Sequence, residues 1–105
     1  MTYDAAALTA LADPTRREVF ELLAERPRSV AELTRALPVS QSAVSQHLKV
    51  LRTARLVRSE AQGARNIYQI DPAGLGPLRA WLDRLWATAL ADFKAVVEND
   101  GGKQA

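Results

Sequence analysis

Residues 39–52 read VSQSAVSQHLKVLR, and their spacing governs how the rest of the chain is interpreted. At about 100° per residue, Val44, Leu48 and Leu51 fall in one narrow apolar stripe, while Ser42, Ser45, Gln46, Lys49 and Arg52 cluster on the far side. One face is written to pack, and the other offers hydrogen-bonding groups and positive charge. Ser40 suits an N-cap, because its hydroxyl can accept from the orphan amides of the first turn, and those amides attract anions such as phosphate. A DNA-recognition helix has this layout. So does an ordinary amphipathic surface helix, and the neighbouring segments must separate the two.

Immediately upstream, Ser29-Val30-Ala31-Glu32 fits a capping box, with the serine hydroxyl serving the amide of Glu32 and the carboxylate reaching back to the serine amide. Val30, Leu33 and Leu37 continue as an apolar stripe, and Leu37-Pro38-Val39 breaks it before Ser40 opens the next helix. Two short helices separated by a turn of roughly three or four residues match a helix-turn-helix. Further upstream, Asp13-Pro14 reads as an N-cap followed by proline at the first helical position, with Val19, Phe20, Leu22 and Leu23 as the apolar face of a helix over 14–25 that Arg26-Pro27 ends. A brief first helix over 2–11 presents Tyr3, Ala7, Leu8 and Leu11.

Downstream, the period changes. Residues 56–61 and 65–70 are short runs with partial alternation around Gln62-Gly63-Ala64, which fits a hairpin with a glycine-containing loop. After a helix-turn-helix such a hairpin is a wing, with Arg65 near its tip; taken alone it is a plain connector. Asp71-Pro72 repeats the cap-plus-proline start, and a long helix runs to about Glu98. Its stripe of Leu78, Leu82, Leu85, Ala89, Phe93 and Val96 is widened by Trp81, Trp86, Leu90 and Val97 beyond one packing face. That surface suggests self-association, or two tryptophans that cover the small body of the domain. Residues 1–98 read as one domain and 99–105 as a flexible tail.

Composition narrows the function. The 105 residues are 48% hydrophobic and 25% charged, with no run long and apolar enough for a membrane span and no export signal at the N-terminus, so a cytoplasmic location is expected. The absence of cysteine excludes disulfides and thiolate metal sites, and a single histidine, His47, lacks the partners that a metal centre or a His-relay hydrolase needs. No Gly-rich phosphate loop is present, and no enzyme chemistry or cofactor is expected. Charge is uneven: residues 29–70 hold six Lys/Arg against two Asp/Glu, whereas the flanking segments are each slightly acidic. A basic middle third is the footprint of a surface that meets a polyanion.

These elements in order resemble the ArsR-type winged-helix transcriptional repressors. The resemblance is carried by LADPTRREVFELL at 11–23, SVAELTRAL at 29–37, SQSAVSQHLKVLRTARLV at 40–57 and ARNIYQID at 64–71, and the segment from Gly74 looks like the dimerisation helix of non-metal members. It implies a mainly α winged helix-turn-helix of about five helices and two strands, binding double-stranded operator DNA as a homodimer. It further implies that Ser40, Gln41, Ser42, Ser45, Gln46 and Lys49 face the major groove. On physical grounds, Gln46 could contact adenine bidentately, whereas Lys49, Arg52 and Arg65 suit phosphate. His47, on the flank of the helix, either packs against the body or touches phosphate. Arg16 and Arg17 either reach the DNA backbone or pair with Glu18 and Glu21, and Arg17 is carried as a DNA-contact candidate. The dimer interface is expected from Leu8, Leu11, Leu78, Trp81, Leu82, Leu85, Trp86 and Phe93. Metal-sensing relatives place cysteines where this chain has Ala31 and Thr34, or histidine-containing ligand sets on the last helix, so no metal site carries over. Release from DNA is then expected from an organic effector between the first and last helices, a protein partner, or the protein's own concentration. The rival reading is a winged-helix module that docks an acidic protein partner.

Overall fold

Three of the helices begin where a side chain closes the first turn. The computed structural model describes residues 5–104, and side chains over 5–99; Tyr3 of the expected first stripe lies outside the described residues. Helix α1 (Ala5–Ala12) is followed by α2 (Pro14–Glu25), capped by Asp13, whose Oδ1 accepts from the Arg16 amide at 2.9 Å. Both halves of the capping box form at α3 (Val30–Ala36): the Glu32 amide donates to Ser29 Oγ at 3.2 Å, and the Ser29 amide donates to Glu32 Oε1 at 2.9 Å. Helix α4 (Gln41–Thr53) starts at Ser40, whose Oγ accepts from the Ala43 amide at 3.1 Å.

The end of α4 is built differently. The Leu56 amide donates to the Leu51 carbonyl and the Arg55 amide to the Arg52 carbonyl, both at 3.0 Å, a Schellman closure in which Arg55 takes the left-handed conformation at φ 63°. The chain is thereby turned into the hairpin of β2 (Val57–Gln62) and β3 (Arg65–Ile70). Its antiparallel register runs from Val57 opposite Ile70 to Gln62 opposite Arg65, which leaves a two-residue loop at Gly63-Ala64. Gly63 has φ +62°, the left-handed value that glycine adopts without a Cβ clash at the first position of such a loop.

A third strand corrects the expected count of two. Residues Arg28–Ser29 form β1, which pairs with β3 so that the sheet order is β1-β3-β2. Two residues are too short to alternate visibly, and β1 exists because the outer edge of β3 offers unpaired amides and carbonyls. Helix α5 (Pro72–Gln104) then continues past Glu98, where the sequence reading ends it; no proline after Pro77 removes a donor from its ladder.

The core joins α1 to the hairpin. Val44, Leu48 and Leu51 are essentially fully buried, as their stripe requires, with Val19 and Leu23 of α2, Leu33 of α3, and Leu56 and Val57 at the hairpin base. Only the first turns of α5 reach this body: Leu78 is buried in it and Trp81 packs partly against it. A helix of 33 residues is about 50 Å long, so α5 projects well beyond the body and accounts for the 68 Å longest dimension.

Candidate nucleic-acid interface

With Val44, Leu48 and Leu51 committed to the core, the helix geometry leaves the opposite face of α4 in solvent. Ser40, Gln41, Ser42, Ser45, Gln46, Lys49 and Arg52 are all exposed there, and the fold brings them onto one surface. The Ser40 hydroxyl already accepts the Ala43 amide, which leaves its proton and its second lone pair for a ligand. Serines and glutamines that present both donors and acceptors, flanked by cations, can hydrogen-bond base edges and neutralise phosphate.

His47 is partly buried and lies near Asp13, the cap of α2. The Asp13 carboxyl is held below its ordinary value chiefly by the Arg16 amide; partial desolvation opposes this, and nearby positive charge on His47 lowers it further. His47 is thus less open to solvent than the residues of the outward face.

Arg16 and Arg17 separate. Arg16 Nε donates to the Ala10 carbonyl at 2.6 Å and its Nη2 to the Thr9 carbonyl at 3.4 Å, so its charge closes the carbonyl end of α1. Arg17 is exposed, and neither Arg16 nor Arg17 forms an ion pair with Glu18 or Glu21 among the described residues. Arg65 is exposed beside the hairpin loop, opposite Gln62.

Two residues that the sequence reading did not single out, one at the end of α4 and one on β3, join this surface. Thr53 and Tyr68 line a cleft together with Ser45, Leu48, Lys49 and Arg52. Period-two alternation puts Tyr68 on the same strand face as Ile70, toward the core, and that alternation was the available signal. An apolar groove of about 540 Å³ also separates α1 from α4, lined by Ala5, Ala6, Ala10, Val50 and Ala54 together with Gln46 and Lys49. It lies between the first and fourth helices rather than the first and last.

The proposed dimer residues divide as well. Leu78, expected at a dimer interface, is 5% exposed within a single chain, because the first turns of α5 lie on the body; its surface is already buried. Leu11 and Trp81 are partly buried in the same core, so one of the two tryptophans does cover the domain. Leu8, Leu82, Leu85, Trp86, Leu90, Phe93, Val96 and Val97 are exposed, Phe93 at 67% and Trp86 at 63%. Among the described residues no three His, Asp or Glu side chains are placed to hold a metal ion, and no helix is long and apolar enough to cross a membrane.

Comparison with known proteins gives concordant matches. The family model described as bacterial regulatory protein, arsR family, matches residues 13–59, from the cap of α2 into β2. The HTH-type transcriptional regulator Rv2034 of Mycobacterium tuberculosis is 54% identical over 95 residues, covering 90% of this chain and 89% of that protein. A transcriptional repressor SmtB homologue of Synechocystis is 45% identical over 60 residues, 57% of this chain and 45% of that one. Among solved structures, the homodimeric winged helix-turn-helix DNA-binding domain of Mb0332 from Mycobacterium bovis, a possible ArsR-family regulator, matches with a TM-score of 0.65 at 27% identity, covering 82% of this chain and 80% of that one.

Proposed function

The chain belongs to the ArsR family of winged helix-turn-helix transcriptional regulators, and on that premise we propose that it is a homodimeric repressor of a partly palindromic operator. Two copies of α4 enter successive major grooves about 34 Å apart, and the exposed apolar length of α5 joins the protomers. The observation that carries this reading is the outward face of α4, where Gln41, Ser42, Ser45, Gln46, Lys49 and Arg52 stand exposed on a helix whose other face is locked into the core. Repression is supported by the Synechocystis relative, which is named a repressor, and dimerisation by the homodimeric Mb0332 domain. The functional unit is a single domain that includes α5, acting in the cytoplasm. Without cysteine and with one histidine, the chain uses no thiolate or histidine metal site, so its release signal is of another kind.

The test is binding to promoter fragments flanking its own gene, compared with bulk DNA at several salt concentrations. A repressor prefers one fragment and loses affinity steeply as salt rises. Equal, weak binding to every fragment, together with capture of an acidic protein partner, would favour the protein-docking reading.

A further inference from the structure

The cleft between α4 and β3 has a volume of about 410 Å³ and a consistent chemistry. Leu48, 1% exposed, belongs to the core. The other lining side chains are Ser45, Lys49, Arg52, Thr53 and Tyr68: two cations and three hydroxyls, with no carboxylate among them. The Tyr68 ring packs against the core, and no buried polar side-chain atom goes unsatisfied among the described residues, so its hydroxyl is reached by solvent rather than sealed in. Within the described residues none of these five side chains is engaged in a hydrogen bond or ion pair, in contrast to Arg16, Arg26, Arg28 and Arg79. Two cations and hydroxyl donors converging without a counter-anion match the tetrahedral oxygens of a phosphoryl group.

We propose that this cleft seats one phosphodiester of the operator backbone, held by Lys49 and Arg52 through charge and by the Tyr68, Ser45 and Thr53 hydroxyls through hydrogen bonds. The assignment rests on the DNA-binding reading above and gives the residues of α4 that line the cleft a role apart from those that do not. Ser45, Lys49 and Arg52 fall within about 60° of one another and all line the cleft, which Gln41, Ser42 and Gln46 do not; on this assignment Ser45 is a backbone contact rather than a base reader. Base choice is left to Gln41, Ser42 and Gln46. Tyr68 ties the backbone contact to the middle strand of the sheet, which fixes the distance between the wing and the recognition helix.

The experiment measures binding of the intact protein to two short duplexes, a promoter fragment and a scrambled sequence, over a range of NaCl concentrations. Arg52→Gln lowers the dependence of log affinity on log salt by about 0.9 per site on both duplexes. Arg84→Gln, on the projecting part of α5, leaves it unchanged. Tyr68→Phe and Ser45→Ala each weaken both duplexes by about fivefold, the scale of one hydrogen bond, and leave their ratio intact. Because Arg52 is exposed, its variant keeps the fold. If the unsubstituted protein binds duplex but Arg52→Gln keeps the full salt slope, or if Ser45→Ala changes the ratio between duplexes, the cleft assignment falls while the regulator reading stands. If the unsubstituted protein binds neither duplex, both fall. Saturable binding of inorganic phosphate by the DNA-free protein, lost in Arg52→Gln, would identify a free-phosphate site and overturn the backbone assignment.

Discussion

Gly74, in the first turn of α5, lies directly against the backbone of Arg55, the left-handed residue that ends α4. A Cβ built on Gly74 overlaps the Arg55 carbonyl and comes within 2.7 Å of Arg55 Cβ. The contact sets where the projecting helix leaves the DNA-binding body. It also explains why this turn of α5 carries glycine despite its low helix propensity.

Gly74→Ala is expected to destabilise the protomer by about 3 kcal/mol, because backbone rather than a flexible side chain must move. Arg55→Gly relieves the left-handed strain at φ 63° and stabilises by about 0.5–1 kcal/mol. The double variant does not recover stability, since the clash includes the Arg55 carbonyl. Urea unfolding of the three variants checks all three statements.

Leu78 and Phe93 lie on one stripe of α5 but are expected to behave differently. Leu78→Ala opens a cavity in the protomer core and costs about 2–5 kcal/mol of folding stability. Phe93→Glu and Trp86→Glu, at positions more than 60% exposed, leave the protomer folded and shift the solution mass toward the monomer. Sedimentation over a concentration series separates the two effects, and an unchanged dimer in the double Glu variant would refute the assigned role of α5.

The capping box makes α3 sensitive to acid. The Ser29 amide and, next, the Arg26 guanidinium hold the Glu32 carboxyl down at about 2, below its ordinary 4.5. A depressed carboxylate pKa stabilises the fold fully above about 4.5 and progressively loses that contribution as pH falls toward 2. In Glu32→Gln the acid loss between those values is smaller, as read by denaturant midpoints from pH 7 to pH 2. Ser29→Ala costs about 1 kcal/mol at pH 7, through loss of the cap.

Gln46 and Arg65 are expected to differ in kind. Gln46→Ala narrows the difference between the operator and scrambled DNA by about 1–3 kcal/mol. Arg65→Gln weakens both by the same factor and lowers the salt slope by about 0.9 per site. Titrations of both variants against both duplexes decide it; equal losses in Gln46→Ala would remove it from the base-reading set.

The sequence by itself determined whatever depends on groups within one turn of each other. The caps at Asp13, Ser29 and Ser40 join residues three apart, so their hydrogen bonds form with any helix that starts there. The stripe of Val44, Leu48 and Leu51 follows from helix geometry alone, and with it the polar face of α4. The tertiary structure decided what depends on the path between elements. It drew Arg28–Ser29 against β3, sent Arg16 back to the carbonyls of α1, buried Leu78 while leaving Phe93 in solvent, and set Tyr68 beside Lys49 and Arg52. None of those pairings has a fixed spacing along the chain. Each exists because packing of the core brings the two backbones together, and a linear pattern states which faces are apolar but not which neighbour will cover them.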